Sequence, residues 1–138
     1  MFIYGGKGND TFKQGEESTA LNAAGTRNLS IQTVLYGGEG DDKFGLFTGT
    51  PEMGASSIEI SGGAGNDKIS GAVGFAVANI YGDAGDDIVY DVEEDYGNST
   101  RSYMLGDGDD VYFGGSGGYG YAIDGEAGND KIFGPSDT

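Results

Sequence analysis

One octapeptide recurs six times along the chain: GGKGNDTF from Gly5, GGEGDDKF from Gly37, GGAGNDKI from Gly62, GDAGDDIV from Gly82, LGDGDDVY from Leu105 and GEAGNDKI from Gly125. Every copy has Gly in the fourth place, Asn or Asp in the fifth, Asp in the sixth and an apolar residue in the eighth. The start-to-start spacings of 32, 25, 20, 23 and 20 residues are too irregular for helical hairpin repeats. They are close to the length of one coil of a solenoid, in which each repeat packs only on its neighbours. The eighth-place residues are Phe12, Phe44, Ile69, Val89, Tyr112 and Ile132, and two residues ahead of the copies stand Ile3, Leu35, Ile60, Ile80, Tyr103 and Ile123. The flanks often alternate, as in IEI and LSIQTVL, which is the period of a strand with one buried face. Each turn is therefore expected between two short strands. The chain as a whole is expected to be one all-β domain over residues 1–138, a parallel β-roll or β-solenoid of about six coils, with one file of eighth-place residues and one file of preceding apolar residues inside. Composition agrees: 29 Gly argue against helices, while 9 Tyr, 7 Phe and recurring Ile, Leu and Val supply a core that a disordered acidic chain lacks.

The unequal lengths fall between motifs, in KQGEESTALNAAGTRN after Phe12, TGTPEMGAS after Phe47, EEDYGNST after Val92 and GGSGGYG after Phe113. Insertions collect in loops, so these are expected as back-edge connections. STALNAA has helix-tolerant composition, yet is read as polar surface loop. None of these stretches carries Gly-x-Gly-x-x-Asp, so only the motif edge is expected to bind metal.

A formal net charge of −16, from 23 Asp and Glu against 7 Lys and Arg, repels DNA and RNA and favours hard cations. A Gly-rich turn suits calcium, which takes six to eight oxygen ligands in irregular geometry, whereas magnesium demands a near-ideal octahedron. Glycines let backbone carbonyls approach an ion, and Asn or Asp in the fifth place is expected to adopt the left-handed conformation. The sixth-place carboxylates, Asp10, Asp42, Asp67, Asp87, Asp110 and Asp130, supply the charge. One such turn alone is ordinary hairpin chemistry. Six in register, stacked about 4.8 Å apart, form a row whose repulsion opposes folding unless cations sit within it.

With these residues in view, GGKGND, GGEGDD and GGAGND resemble the Gly-Gly-x-Gly-x-Asp repeats of RTX (repeats-in-toxin) proteins. The resemblance covers six segments spread over nearly the whole chain. It implies a parallel β-roll with a calcium ion bridging turns of successive coils, here along one edge, since there is one motif per coil. It also implies ligand sets: the second and fourth carbonyls and the Asp of one turn with the first and third carbonyls and the Asp of its neighbour, or the reverse. The first set is Gly6, Gly8 and Asp10 with Gly37, Glu39 and Asp42, and the second Gly38, Gly40 and Asp42 with Gly62, Ala64 and Asp67. The third is Gly63, Gly65 and Asp67 with Gly82, Ala84 and Asp87. The fourth is Asp83, Gly85 and Asp87 with Leu105, Asp107 and Asp110, and the fifth Gly106, Gly108 and Asp110 with Gly125, Ala127 and Asp130. Leu105 in a first-Gly place, and Asp83 and Glu126 in second-Gly places, are expected to weaken their turns.

Catalysis finds little support. There is no His for a triad and no Cys nucleophile. Paired carboxylates such as Glu93 with Glu94 or Asp109 with Asp110 have the residue types of glycosidase chemistry, and Arg101 is the only candidate base for a calcium-dependent lyase; solvated or calcium-bound acids are the simpler reading. No apolar run is long enough to span a bilayer, and no Sec-type leader is evident. The expected function is that of a calcium-binding structural or assembly protein, secreted or at the cell surface, rather than an enzyme. The alternative is an accessory module of a larger secreted enzyme, toxin or adhesin, aiding secretion, folding or polysaccharide contact, the last through Tyr96, Tyr119 and Tyr121. Both the first and the sixth motif lie near a terminus, so calcium-dependent end-to-end filaments are also expected, with Asp10 and Asp130 sharing an ion across each joint.

Overall fold

The computed structural model describes residues 2–13, 32–48, 57–91, 100–114 and 121–134. The strands before and within the turns are β1 (Phe2–Lys7), β3 (Thr33–Glu39), β6 (Ser57–Ala64), β9 (Val77–Ala84), β11 (Thr100–Met104) and β13 (Tyr121–Asp124). Those after the turns are β2 (Thr11–Phe12), β4 (Lys43–Phe44), β7 (Lys68–Ile69), β10 (Ile88–Tyr90), β12 (Val111–Phe113) and β14 (Lys131–Phe133), while β5 (Phe47–Thr48) and β8 (Ala72–Val73) lie beyond β4 and β7. No helix occurs among the described residues. The first group forms one six-stranded sheet in the order β1-β3-β6-β9-β11-β13, the second group another in the order β2-β4-β7-β10-β12-β14, and β5 pairs β8. All pairings are parallel, and each turn carries the chain from one sheet to the other. The fold is thus an all-β parallel solenoid with a rung of each sheet on either side of every motif. The expectation of about six coils is not borne out: the solenoid supported here has about three turns, and the path from rung to rung is described without a break only from β6 to β9. The other back-edge stretches, with STALNAA, Glu93, Glu94, Tyr96 and Tyr119, lie outside the described residues. Tyr121 opens β13.

Register follows the motif. Ile3, Leu35, Ile60, Ile80, Tyr103 and Ile123 lie in one file, and Phe12, Phe44, Ile69, Val89, Tyr112 and Ile132 in the other. Period-two alternation turns both files inward, where they form the core with Ile58, Ala78, Leu105 and, from the β5–β8 side, Phe47 and Ala72. Phe12 and Phe44 stack with ring centroids 4.5 Å apart. The files are not closed at their ends, however: Ile3 is 41% and Ile132 47% exposed, against 1% or less for Leu35, Ile60, Ile69 and Val89. A rung in a solenoid is covered only by its neighbours, and an end rung has one.

One charged group enters this core unannounced by any motif. Arg101 of β11 donates to Asp91 at 2.9 Å, and the Tyr103 and Tyr112 hydroxyls donate to the same carboxylate at 2.7 and 3.3 Å. Both members of the ion pair are buried. The candidate lyase base is therefore a structural ion pair, kept by three donors on one carboxylate.

Candidate metal-binding edge

Positive φ at the second and fourth places bends each turn, glycine serving at both in four of the six copies. The second and fourth places take positive φ, from Gly6 (109°) and Gly8 (105°) in the first copy to Gly106 (107°) and Gly108 (146°) in the fifth. Asp83 (76°) and Glu126 (63°) adopt the same region in second places, a conformation costly for residues with a Cβ. The Asp83 carboxylate is held there by the Ser61 hydroxyl of the preceding rung, and Asp124 accepts the Glu126 N–H at 3.0 Å. The fifth-place residues are not left-handed, contrary to the sequence reading. Their role is a ladder of side chains on backbone: Asn9 accepts the Asp41 N–H, Asp41 the Asn66 N–H, Asn66 the Asp86 N–H, Asp86 the Asp109 N–H and Asp109 the Asn129 N–H, each at 2.9 Å. Nothing in a single copy reveals this, because the partner is the same place one rung on.

The sixth-place aspartates form a second ladder running the other way. Asp42 Oδ1 accepts the Asp10 N–H, and the pattern repeats from Asp67 to Asp42, Asp87 to Asp67 and Asp110 to Asp87 at 2.7 Å, and from Asp130 to Asp110 at 3.1 Å. The other oxygen is left over. Oδ2 of Asp10, Asp42, Asp67, Asp87 and Asp110 is buried with no hydrogen-bond partner, which in a native protein costs free energy unless a ligand binds it. Asp109 and Asp110 consequently do not act as a pair: Asp110 is buried in this row, while Asp109 is exposed and bonded to Asn129.

Carbonyls face the same gaps between rungs. A Cβ placed on Gly5 would lie 2.5 Å from Asp10 Oδ2 and 2.6 Å from the Gly37 carbonyl oxygen of the next rung. Gly37, Gly62 and Gly82 are confined in the same way, by their own turn's Asp and by the carbonyls of Gly62, Gly82 and Leu105. The first-place carbonyls thus point back, as do the third-place ones, since Glu39, Ala64, Ala84, Asp107 and Ala127 accept the fourth-place N–H of the preceding rung at 2.7–2.8 Å. Second- and fourth-place carbonyls point forward: those of Gly6 and Gly8 abut the positions a Cβ would take on Gly38 and Gly40, and those of Gly40, Gly65, Gly85 and Gly108 do the same toward the next fourth place. Glycine is required here by the close approach of turn to turn. Leu105 departs from the pattern by sending its side chain into the core, yet its carbonyl keeps its place beside Gly82.

Electrostatics match this geometry. Burial raises the carboxyls of Asp42, Asp67, Asp87 and Asp110 above the ordinary range, Asp67 to about 6 and Asp87 to about 8. The backbone N–H on each opposes that shift, and the charges of neighbouring aspartates add to it. A cation between rungs removes both the burial penalty and the repulsion. Among the described residues no three acidic side chains converge on one point, so a cation here has to draw most of its ligands from carbonyls. Calcium accepts that donor set and the softer transition metals do not favour it.

A family model described as the RTX calcium-binding nonapeptide repeat matches in four copies, over residues 2–13, 34–44, 59–75, 79–90 and 122–134. The chain carries RTX calcium-binding repeats. These repeats are calcium-binding, and the RTX β-roll is a structural, calcium-binding fold. The matched RTX segments omit the fifth copy, where Leu105 replaces the first glycine and β11 stops at Met104 instead of running through the turn. Neither curated proteins nor solved structures gave a match.

Proposed function

We propose that the chain is an extracellular structural element whose rungs are held in register by calcium, and that it is not an enzyme. The observation that carries this reading is the row of five buried Asp Oδ2 atoms without partners, along an edge whose turn carbonyls point into the gaps between rungs. The forward carbonyls of Gly6 and Gly8 and the backward carbonyls of Gly37 and Glu39 favour one of the two ligand orders: Gly6, Gly8 and Asp10 with Gly37, Glu39 and Asp42. The same order assigns Gly38 and Gly40 with Gly62 and Ala64, Gly63 and Gly65 with Gly82 and Ala84, Asp83 and Gly85 with Leu105 and Asp107, and Gly106 and Gly108 with Gly125 and Ala127, the sixth-place Asp of both turns completing each set. Bound calcium supplies charge neutralisation and cross-links rungs; no step of chemistry is asked of it. RTX repeats occur in secreted proteins, and a calcium-dependent fold suits a compartment rich in that ion. No described helix is long and apolar enough to cross a membrane.

Because the ion binds only the folded arrangement, folding is coupled to calcium by mass action. Far-ultraviolet circular dichroism is expected to show a largely disordered chain in chelator and a β spectrum in millimolar calcium. A β spectrum unchanged by chelation refutes the reading.

A further inference from the structure

Outside the row of buried aspartates, the motif edge carries a groove that the structural role leaves unused. In each turn the exposed fifth- and seventh-place side chains flank the buried sixth-place aspartate, as Asp41 and Lys43 do about Asp42, and Asn66 and Lys68 about Asp67. Over the first three motifs they line a groove of about 350 Å³, at the lower end of the range for ligand sites. Fifth-place Asn9, Asp41 and Asn66 and seventh-place Thr11, Lys43 and Lys68 form its lining. What they offer is mostly donors. The Oδ1 atoms of Asn9 and Asn66 are taken by the N–H groups of Asp41 and Asp86, so their amide nitrogens, which only donate, are left for a ligand. The ion pairs among the described residues join Lys7 to Glu39 and Arg101 to Asp91, and neither groove lysine is in one. In a chain with 23 acidic against 7 basic residues, two neighbouring ammonium groups are thus left for an anion from elsewhere. In the fourth and fifth motifs the seventh place is Ile88 and Val111, both half-buried, and the cationic lining ends there.

The floor of the groove decides when an anion can enter. Asp10 and Asp42 lie beneath the lining, and together with Asp41 they outweigh the two lysines in the absence of calcium. Calcium between Asp10 and Asp42 reverses that balance. We propose that the calcium-loaded groove binds the carboxylates of an acidic polysaccharide, Lys43 and Lys68 each pairing with one uronate while the Asn9 and Asn66 amides donate to ring hydroxyls. The lysines repeat at the rung spacing of about 4.8 Å, close to the length of one sugar unit, so a chain lying along the solenoid axis presents successive acids to successive rungs. A peptide fits less well, because β4 and β7 are paired on both sides and leave no strand edge to extend. An anionic bilayer is held by apolar residues that enter it as well as by charge, and none of the six lining side chains is apolar. A nucleic acid meets the repulsion of a net charge of −16. The proposal rests on the calcium reading for the reversal of sign.

Isothermal titration of the calcium-loaded chain with tetragalacturonate, an oligomer too short to gel with calcium by itself, tests the groove. Binding that weakens as salt rises is expected, and the double variant Lys43→Gln, Lys68→Gln is expected to weaken it about tenfold or more through the loss of two charge-assisted contacts. Lys43→Arg, which keeps the charge, and Lys7→Gln, which lies outside the groove, are expected to bind as the unmodified chain does. All three lysines are exposed, so circular dichroism is expected to show every variant folding with calcium. A folded, calcium-loaded chain that does not bind the uronide, or whose double lysine variant binds it equally, overturns the groove alone. Equal or tighter binding of maltotetraose does the same by removing the charge argument, and equal or tighter binding of tetraglutamate or of phosphatidylserine vesicles does so by assigning the lysines to a peptide or a lipid surface. A chain that folds and binds the uronide in chelator overturns the calcium reading and leaves the role of the two lysines standing.

Discussion

At Asp87 one carboxylate oxygen accepts the Asp67 N–H at 2.7 Å, and the other is buried without a partner. Such a group favours its neutral form until a cation arrives, and the consequence for pH has a definite sign. Burial raises Asp67 to about 6 and Asp87 to about 8 in the folded chain, from 3.8. A raised carboxyl contributes stability in full below its unfolded pKa and loses it as pH rises through the folded one. The metal-free chain is therefore expected to gain β structure toward pH 4 and lose it between about 6 and 8, and saturating calcium to flatten the profile near neutrality. Circular dichroism of dialysed, metal-free protein across this range checks it; a metal-free chain most structured at pH 8 would contradict the burial argument. The row of sixth-place carboxylates was legible from the sequence because identical residues at identical places had to meet. The fifth-place ladder was not, because turn propensity alone explained Asn and Asp there. Its signal lies in the fact that Asn9, Asp41, Asn66, Asp86, Asp109 and Asn129 all carry an Oδ1 acceptor on a short side chain.

Among the elements, the short strands after the turns depend on position more than on composition. Ile69 is fully buried in β7, whereas Ile132 occupies the equivalent place in β14 and is 47% exposed. Ile69→Ala is expected to cost about 2–5 kcal/mol, and Ile132→Ala in the isolated chain within about 0.5 kcal/mol, by denaturant melts in saturating calcium. Equal costs would show that the files are not packed as described. The turns make an independent demand. Gly37→Ala would drive a methyl group into Asp42 Oδ2 and the Gly62 carbonyl, and neither has room to retreat inside a stacked edge. Loss of calcium-dependent folding is expected, while Gly134→Ala, with open space around its Cβ position, should be silent by the same calcium titration. Strand alternation foretold both files correctly; it could not foretell which members stay exposed, since exposure depends on rungs above and below rather than on local pattern. Asp91 was equally hidden, for its partners lie in two later strands, Arg101 and Tyr103 in β11 and Tyr112 in β12.

Over the whole molecule, parallel pairing and the motif edge follow from repetition, and the lengths of the intervening stretches were free to vary without disturbing either. The two ladders of that edge run in opposite directions, fifth-place oxygens reaching one way and sixth-place oxygens the other. Detaching an end rung therefore breaks both kinds of bond at once, together with its strand pairing, while the seam behind it stays whole. Under force applied at its two termini, such a molecule should not rupture in one event but shed its rungs singly, like links. Each would release between 20 and 32 residues, roughly 65–115 Å of extended chain at 3.3–3.6 Å per residue. Optical-tweezer traces in calcium are expected to show a sawtooth with these increments, fading to smooth stretching in chelator; a single all-or-none step in calcium would mean that the seams do not act separately. Ordered by the spacings, the longest release comes from the stretch between the first two motifs, so one end of the molecule is a longer tether than the other, and the direction of pulling becomes readable in the order of the steps.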